Sequence, residues 1–503
     1  MRYQLTNLLE TLDQVAQNNA DICYQDQDGS HSYQELYQST QHLAAYLQSL
    51  ELPSGQPLMV YGDQSFFTVV AMLACVKAGH AYIPVDAHSP NERLLQINEI
   101  AQPAAILAVV DLPVEVGVVT ITLQQIQTAL DSEQPPLDRD QMVHGDDNFY
   151  IIFTSGTTGV PKGVQISHNN LLSYVNWMVN DFYLPQKVRC LSQPPYSFDL
   201  SVMDLYPTLV LGGTLKAVSQ EVTENFQKLF QVLPTLDLQE WVSTPSFVEL
   251  CLLDKNFEQE HYPALKHFLF CGEELTNSTA QTLLKRFPQA QIFNTYGPTE
   301  ACVAVTAIQI TPQIVEKYAR LPIGYPKADT KIQLVDAQGK ISRDGELLIS
   351  GPSVSKGYLN NPDKTAQAFV QQAGALAYRS GDLATMASDG KLFYRGRSDF
   401  QVKLHGYRIE LEDIDQNLAA LPQVDQAITV PRYDAHQKVS QLIAFVVLNQ
   451  AVDNPSAKLK EELAQNVMSY MIPQRIEVRD NLPKTANGKI DRKALTAEVN
   501  HHA

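Results

Sequence analysis

The chain has 503 residues, 44% of them hydrophobic and 18% charged, with a formal net charge of −18. At roughly 150 residues per domain this is room for about three domains or one large two-domain enzyme, and the composition excludes disorder for the bulk of the chain. The acidity excludes nucleic acid as the main partner, because a phosphate backbone demands clustered Lys and Arg.

No apolar run approaches the ~18 residues of a membrane span. The opening MRYQLTNLLETLDQVAQ lacks the uninterrupted apolar core of a signal peptide. Cysteines at 23, 75, 190, 251, 271 and 302 show neither CxxC pairing nor a framework spacing. The expectation is a reduced, cytoplasmic protein with no membrane insertion.

In chain order, Tyr33–Leu50 places Leu36, Leu43, Ala44, Tyr46 and Leu47 on one helical stripe. Leu58–Tyr61 reads as a covered strand, Phe66–Ala78 as a buried helix, and Ala104–Val110, Phe149–Phe153, Phe268–Cys271 and Ile292–Thr295 as further covered strands. Strands alternating with helices predict parallel sheets with helices on their faces. Lys331–Val335 and Glu346–Ile349 then indicate a small β-rich unit. Beyond it, Ile409–Leu421 and Ala457–Met468 read as helices, and Ala427–Pro431 and Leu442–Leu448 as strands. The expected fold is α/β: a large N-terminal domain of layered α/β sheets plus a small β unit, followed by a small α+β C-terminal domain.

Charge is unevenly placed. Residues 401–503 hold 12 Lys and Arg against 13 Asp and Glu, so nearly all the acidity lies before them. Near the end, Arg475, Arg479, Lys484, Lys489, Arg492 and Lys493 outnumber Glu477, Asp480 and Asp491. A solvated helix face and a docking face for an anionic partner both fit that pattern.

The chemistry begins at FYIIFTSGTTGVPKGV (149–164), where an apolar strand runs into Thr154, Ser155, Gly156, Thr157, Thr158 and Gly159, followed by Lys162. Glycines let backbone N–H groups approach an anion, hydroxyls add donors, and the lysine adds charge. Pro161 stands where the GxxxxGK[ST] phosphate loop needs its second glycine, so this is a different loop. A Ser/Thr/Gly cluster is by itself an ordinary turn. The order TSGTTGxPKG, however, resembles the phosphate-binding signature of the AMP-forming acyl-adenylating enzymes, the ANL superfamily. AYIPVDAHSPNERL (81–94), NTYGPTEA (294–301), GELLISGPSVSKGYLNNPDKT (345–365), YRSGDL (378–383), YRGRSDFQVKLHGYRIELEDI (394–414) and LPKTANGKIDR (482–492) resemble further motifs of that family, in order along the chain.

The resemblance implies a large domain over residues 1–397 and a small mobile one over 398–503, hinged near Asp399, with ATP and Mg²⁺ as cofactors. Forming an acyl adenylate brings a carboxylate and a phosphate together, so cations must meet the charge that develops. By resemblance Lys489 is the catalytic lysine bridging the two, although Asn487-Gly488 also suits a plain surface turn. Glu300 resembles the carboxylate that holds Mg²⁺, a hard cation that prefers oxygen ligands. Tyr296 would stack on adenine, with Asn294, Thr295, Gly297, Pro298 and Thr299 as the wall. Asp382 would accept the ribose hydroxyls, and its alternative is a turn aspartate. Tyr394, Arg395, Gly396 and Arg397 complete the nucleotide site. After rotation at the hinge, the face near His405-Gly406-Tyr407 would border a tunnel for a thiol.

The acid to be activated is narrowed by YSFDLSVMDLYP (196–207). In the amino-acid branch of the family, the residue matching Asp199 binds the substrate α-ammonium; the alternative for Asp199 is a helix N-cap. Met203, Leu269, Cys271 and Val303 (with Thr295) would line a pocket that suits alanine better than a large residue. Cys271 could crowd one methyl position and so favour one enantiomer; it also fits as a plain buried cysteine. FLFCGEEL together with YSFDLSVMDLYP resembles the branch that activates D-alanine to D-alanyl-AMP and loads it, for teichoic acid D-alanylation, onto an acidic phosphopantetheinylated carrier protein acting in trans. A monomer is expected. Alternatives are an adenylation enzyme for another small amino acid and an acyl-CoA ligase.

Overall fold

The computed structural model describes residues 4–156, 160–372, 374–435, 438–484 and 490–500. Two sheets and the helices between them form the largest core. In the first sheet, Thr120–Thr122, Ala105–Ala108, Leu58–Gly62, Tyr82–Asp86 and Asn148–Thr154 run parallel in that spatial order, and Lys162–Ser167 closes the edge antiparallel. In the second, Gln291–Tyr296, His267–Phe270, Glu240–Ser243, Arg189–Ser192, Thr214–Ala217 and Ile22–Gln25 are parallel, with antiparallel strands at both margins.

The period of two along each strand decides which side chains meet. Leu58 and Val60 face the core shared by the two sheets, whereas Met59 and Tyr61 face the helix Asn91–Ala101. Likewise Val242, Leu269, Cys271 and Phe293 turn inward, and Trp241, Phe268, Phe270 and Ile292 turn to helices on the outer face. The helices Phe66–Lys77 and Leu200–Val210 are apolar nearly all round because they lie inside that shared core. Lys77 is tolerated there because its ammonium reaches Asp13 at 2.6 Å and Thr40 at 2.7 Å.

The small β unit is an antiparallel sheet of Ile341–Ser342, Lys331–Val335, Asp344–Ser350, Ala375–Met386, Phe369–Gln372 and Leu392–Arg397. From Val402 onward the chain has cores of its own. A hairpin (Gln401–Leu404 with Tyr407–Glu410) precedes the helix Leu411–Ala419, and Val424–Tyr433, Val439–Leu448 and Arg475–Val478 make a three-stranded sheet. One face of that sheet packs with the hairpin and the helices Leu411–Ala419 and Pro455–Leu463. The opposite face packs against Leu482, Ile490 and Leu495.

Two element boundaries differ from expectation. Ile409 and Glu410 are strand rather than helix, because alternation at Tyr407 and Ile409 pairs them with Gln401–Leu404. The second helix starts with Pro455 at its first turn and ends at Leu463, after which the chain continues in turns. Among the described residues no helix is long and apolar enough to cross a membrane.

Candidate active site

A cavity of about 1120 Å³ lies where the hairpin Gln401–Glu410 meets the large domain. Asp199, Cys271, Val303, Gly297, Pro298, Thr299, Asp382 and Arg397 border it, facing Lys403, His405, Gly406, Tyr407 and Arg408. Gly406 has φ +86°, and a Cβ there would stand 2.2 Å from Thr244 Cγ2, so only glycine lets the hairpin tip come this close.

Thr154 ends its strand with a buried hydroxyl that has no hydrogen-bond partner among the described residues, and Ser155 donates from Oγ to the Arg408 carbonyl at 2.9 Å. A Cβ on Gly156 would fall 2.0 Å from the Val160 carbonyl, which accounts for the glycine. Lys162 stands 5.4 Å from the centre of the Tyr358 ring; burial and Arg408 pull its ammonium below the usual lysine range. Thr157, Thr158, Gly159 and Lys489 lie outside the described residues.

The strand Gln291–Tyr296 delivers the next group. Asn294 donates from Nδ2 to the Pro322 carbonyl (2.8 Å) and Thr295 from Oγ1 to the Phe270 carbonyl (2.8 Å), so both brace the segment. The Tyr296 hydroxyl donates to Asp382 Oδ2 at 2.5 Å. Gly297 packs directly on backbone, since a Cβ would be 2.5 Å from Ala304 Cα. Arg397 donates from Nη1 to Asp382 Oδ1 (2.8 Å) and makes a two-point contact with Asp399 at 2.6 and 2.7 Å. That fork ties the Asp382 carboxylate to the segment where the two bodies join. Gly381, at φ +70°, leaves room for the guanidinium. Tyr394 stands 6.4 Å from Tyr296, ring centre to ring centre, and Gly396 pairs with Leu383. Arg395 is turned away to Thr385 Oγ1 (3.0 Å) at an irregularity in the pairing.

Asp199 occupies the N-cap position of Leu200–Val210, yet its side chain caps nothing. Burial raises its carboxyl above the usual range, against Thr299, Lys403 and Arg408, which favour the anion. No basic group among the described residues forms an ion pair with it. Cys271 donates weakly from Sγ to the Val303 carbonyl (3.6 Å), and burial pushes its thiol up. Met203 and Leu269 are fully buried in the shared core and do not border the cavity.

Glu300 is fully buried. Burial pushes its carboxyl up, but Arg408, Lys162 and the Tyr358 hydroxyl outweigh that and hold it at about 2. Arg408 Nη1 reaches Oε2 at 2.9 Å and Oε1 at 3.1 Å, and Tyr358 donates to Oε1 at 2.8 Å. Among the described residues no group of three or more His, Cys, Asp and Glu is placed to hold a metal.

Arg408, Lys403, Tyr358, Phe198 and Tyr470 were not singled out by sequence reasoning, whereas Tyr407 was, together with His405 and Gly406. Tyr407 stacks on Tyr470 at 3.8 Å, and Phe198 meets Tyr407 at 4.9 Å, joining the large domain to the C-terminal segment. The only signal was two cations flanking His405-Gly406 in the hairpin. Of the basic residues near the end, Arg475 and Arg479 pair with Glu477, Arg479 also with Glu498, and Arg492 with Asp415. Part of that positive charge is therefore already neutralised.

Asp382 with Arg397, an Asp199 carboxylate that has no ion-pair partner among the described residues, and a hairpin from a second body around one cleft fit a two-domain, carboxylate-activating enzyme. Residues 12–359 match the AMP-binding enzyme family and residues 413–489 the AMP-binding enzyme C-terminal domain. The chain belongs to the AMP-binding enzyme family and, within it, to the family of the D-alanine–D-alanyl carrier protein ligases. The protein of that name from Lacticaseibacillus rhamnosus is 58% identical, covering 99% of this chain and 100% of the relative. Its counterpart from Streptococcus pyogenes is 47% identical, at 99% and 100%. Among solved structures, the Vibrio cholerae adenylation domain AlmE in complex with glycyl-adenosine-5'-phosphate superposes with a TM-score of 0.82 at 26% identity, covering 99% of both chains.

Proposed function

We propose that this enzyme activates D-alanine with ATP to D-alanyl-AMP and passes the D-alanyl group to the phosphopantetheine thiol of a separate carrier protein. The carrying observation is Asp199: a carboxylate without an ion-pair partner among the described residues opens onto the same cavity as Asp382 and Arg397, with Cys271 and Val303 beside it. The α-ammonium of an amino acid answers that charge, and a fatty acid leaves it unanswered.

In the first step a carboxylate oxygen bonds to the α-phosphorus and pyrophosphate leaves. In the second the carrier sulfur bonds to the acyl carbon, AMP leaves, and the thiol proton passes to solvent. Asp382 and Arg397 would fix the ribose, and Tyr296 the base. Lys489 would supply the bridging charge in the first step. Lys484 and Ile490, which flank residues 485–489 in sequence, pair with each other, and Ile490 packs on the sheet face opposite the hairpin. Exchange of the two faces, by rotation at Asp399 between a body of residues 1–397 and one of 398–503, would let the two steps use one cleft.

Glu300 suits Mg²⁺: it is a buried, ionised oxygen donor that already commands a cation in Arg408. Bound there, the ion would neutralise the phosphates during adenylation. We assign the reaction to the cytoplasm, to a monomer, and to an acidic carrier. Amino-acid-dependent exchange of pyrophosphate into ATP tests the reading. D-alanine should far exceed L-alanine, fatty acids should give nothing, and silence with every amino acid would overturn it.

A further inference from the structure

Beside the hairpin tip, which packs on Thr244, the C-terminal segment makes a second contact with the large domain on the border of the same cavity. Between strands Val424–Tyr433 and Val439–Leu448 the Asp434 N–H donates to the Lys438 carbonyl at 2.8 Å. In return the Lys438 N–H donates to Asp434 Oδ1 at 2.9 Å. From this braced position Lys438 crosses to the large domain. Its Nζ donates to Ser246 Oγ at 2.9 Å and Glu249 Oε2 at 3.0 Å, and lies 3.5 Å from Glu273 Oε2. An ammonium has three donors, and three oxygens surround this one.

The receiving group is built for a cation. Thr279 donates to the other oxygen of Glu249 at 2.8 Å, and the Ser246 N–H donates to Glu273 Oε2 at 3.0 Å. The Glu273 side chain is 2% exposed, and its Oε1 has no hydrogen-bond partner among the described residues. Burial lowers the Lys438 ammonium, but the two carboxylates more than compensate and hold it above the usual lysine range. Both acids belong to the large domain. With the segment in place, loss of the ammonium would leave Glu273 a buried carboxylate with a single backbone donor among the described residues, which is costly. Any large rotation at Asp399 would withdraw the lysine.

We propose that Lys438 is a positioning residue for the transfer half-reaction, an interdomain latch that holds the C-terminal segment in the orientation that sets His405-Gly406-Tyr407 against the cleft. This rests on the two-step activity proposed above. Outside that orientation the latch is open, so it favours transfer without assisting adenylation.

Lys438→Met keeps the side-chain stem and removes the charge. With the full-length enzyme and carrier, transfer from preformed D-alanyl-AMP should slow roughly tenfold at saturating carrier, while pyrophosphate exchange stays within about twofold. Lys438→Arg should recover part of the transfer rate. Adding Glu249→Gln to Lys438→Met should cost little more, because the pair acts as a unit. Normal exchange with unchanged transfer, or parallel loss of both steps, overturns the latch alone. No exchange in the unsubstituted enzyme overturns the functional reading, and the latch with it.

Discussion

Arg408, from the hairpin of the C-terminal segment, places one guanidinium nitrogen 2.9 and 3.1 Å from the two oxygens of Glu300, which lies fully buried in the large domain. The carboxylate we assign to Mg²⁺ is thus occupied by an arginine in this orientation. Metal at Glu300 and this hairpin contact would compete for one charge. Arg408→Ala should slow transfer by about 10- to 100-fold, the scale of a hydrogen bond to a charged group. The Mg²⁺ concentration needed for half-maximal pyrophosphate exchange should fall, and a rise would contradict the competition.

Asp199→Asn keeps the shape of the side chain and removes its charge. The kcat/KM for D-alanine in exchange should drop by on the order of a hundredfold, the scale of breaking a buried ion pair. The KM for ATP should hardly move. A comparable loss for both substrates would mean that Asp199 serves the fold rather than the ammonium.

Cys271 borders the cavity beside Val303. Cys271→Gly should shrink the D-alanine to L-alanine ratio by roughly tenfold, within the range that one small group in an apolar pocket commands. The check is the ratio of the two kcat/KM values; an unaltered ratio removes the thiol from stereoselection.

Lys489→Ala should abolish adenylation yet spare transfer from supplied D-alanyl-AMP. The measurement is pyrophosphate exchange beside single-turnover loading of the carrier. Equal loss of both would reject the exchange of faces.

Stability should depend on pH through Glu240, a fully buried carboxyl that burial pushes up to about 8 from an ordinary value near 4.5. Between those values the folded protein holds a proton that the unfolded chain has lost. Its contribution is therefore complete below about pH 4.5 and disappears as the pH rises to about 8, at no more than about 1.4 kcal/mol per pH unit. Glu240→Gln should flatten the melting temperature between pH 5 and 8, relative to the unsubstituted protein.

Much of this molecule is legible in residue order. Covered strands such as Leu58–Gly62 announce themselves as apolar runs between turns, and the loop after Phe149–Phe153 declares its glycines and hydroxyls, because local backbone demands are written in local residue types. Arg395 was misleading because an irregularity in strand pairing turns its side chain outward, and pairing is not a local property. Met203 and Leu269 carry the right chemistry for a small apolar pocket, but burial behind its wall depends on how two sheets close over the helix Leu200–Val210.

Residue order by itself determined the fold class, and it brought forward the segment Asn294–Thr299 and the carboxylate at Asp199. Those rest on periodicity and on chemically distinctive neighbours within one segment. Only the tertiary structure decided that Arg408 takes up Glu300, that Lys438 reaches Glu249 and Glu273, and that Tyr407 stacks on Tyr470 against Phe198. Most of these contacts join residues more than a hundred positions apart across two bodies. Whether such charges and rings meet depends on the relative orientation of those bodies, which no short stretch of chain encodes.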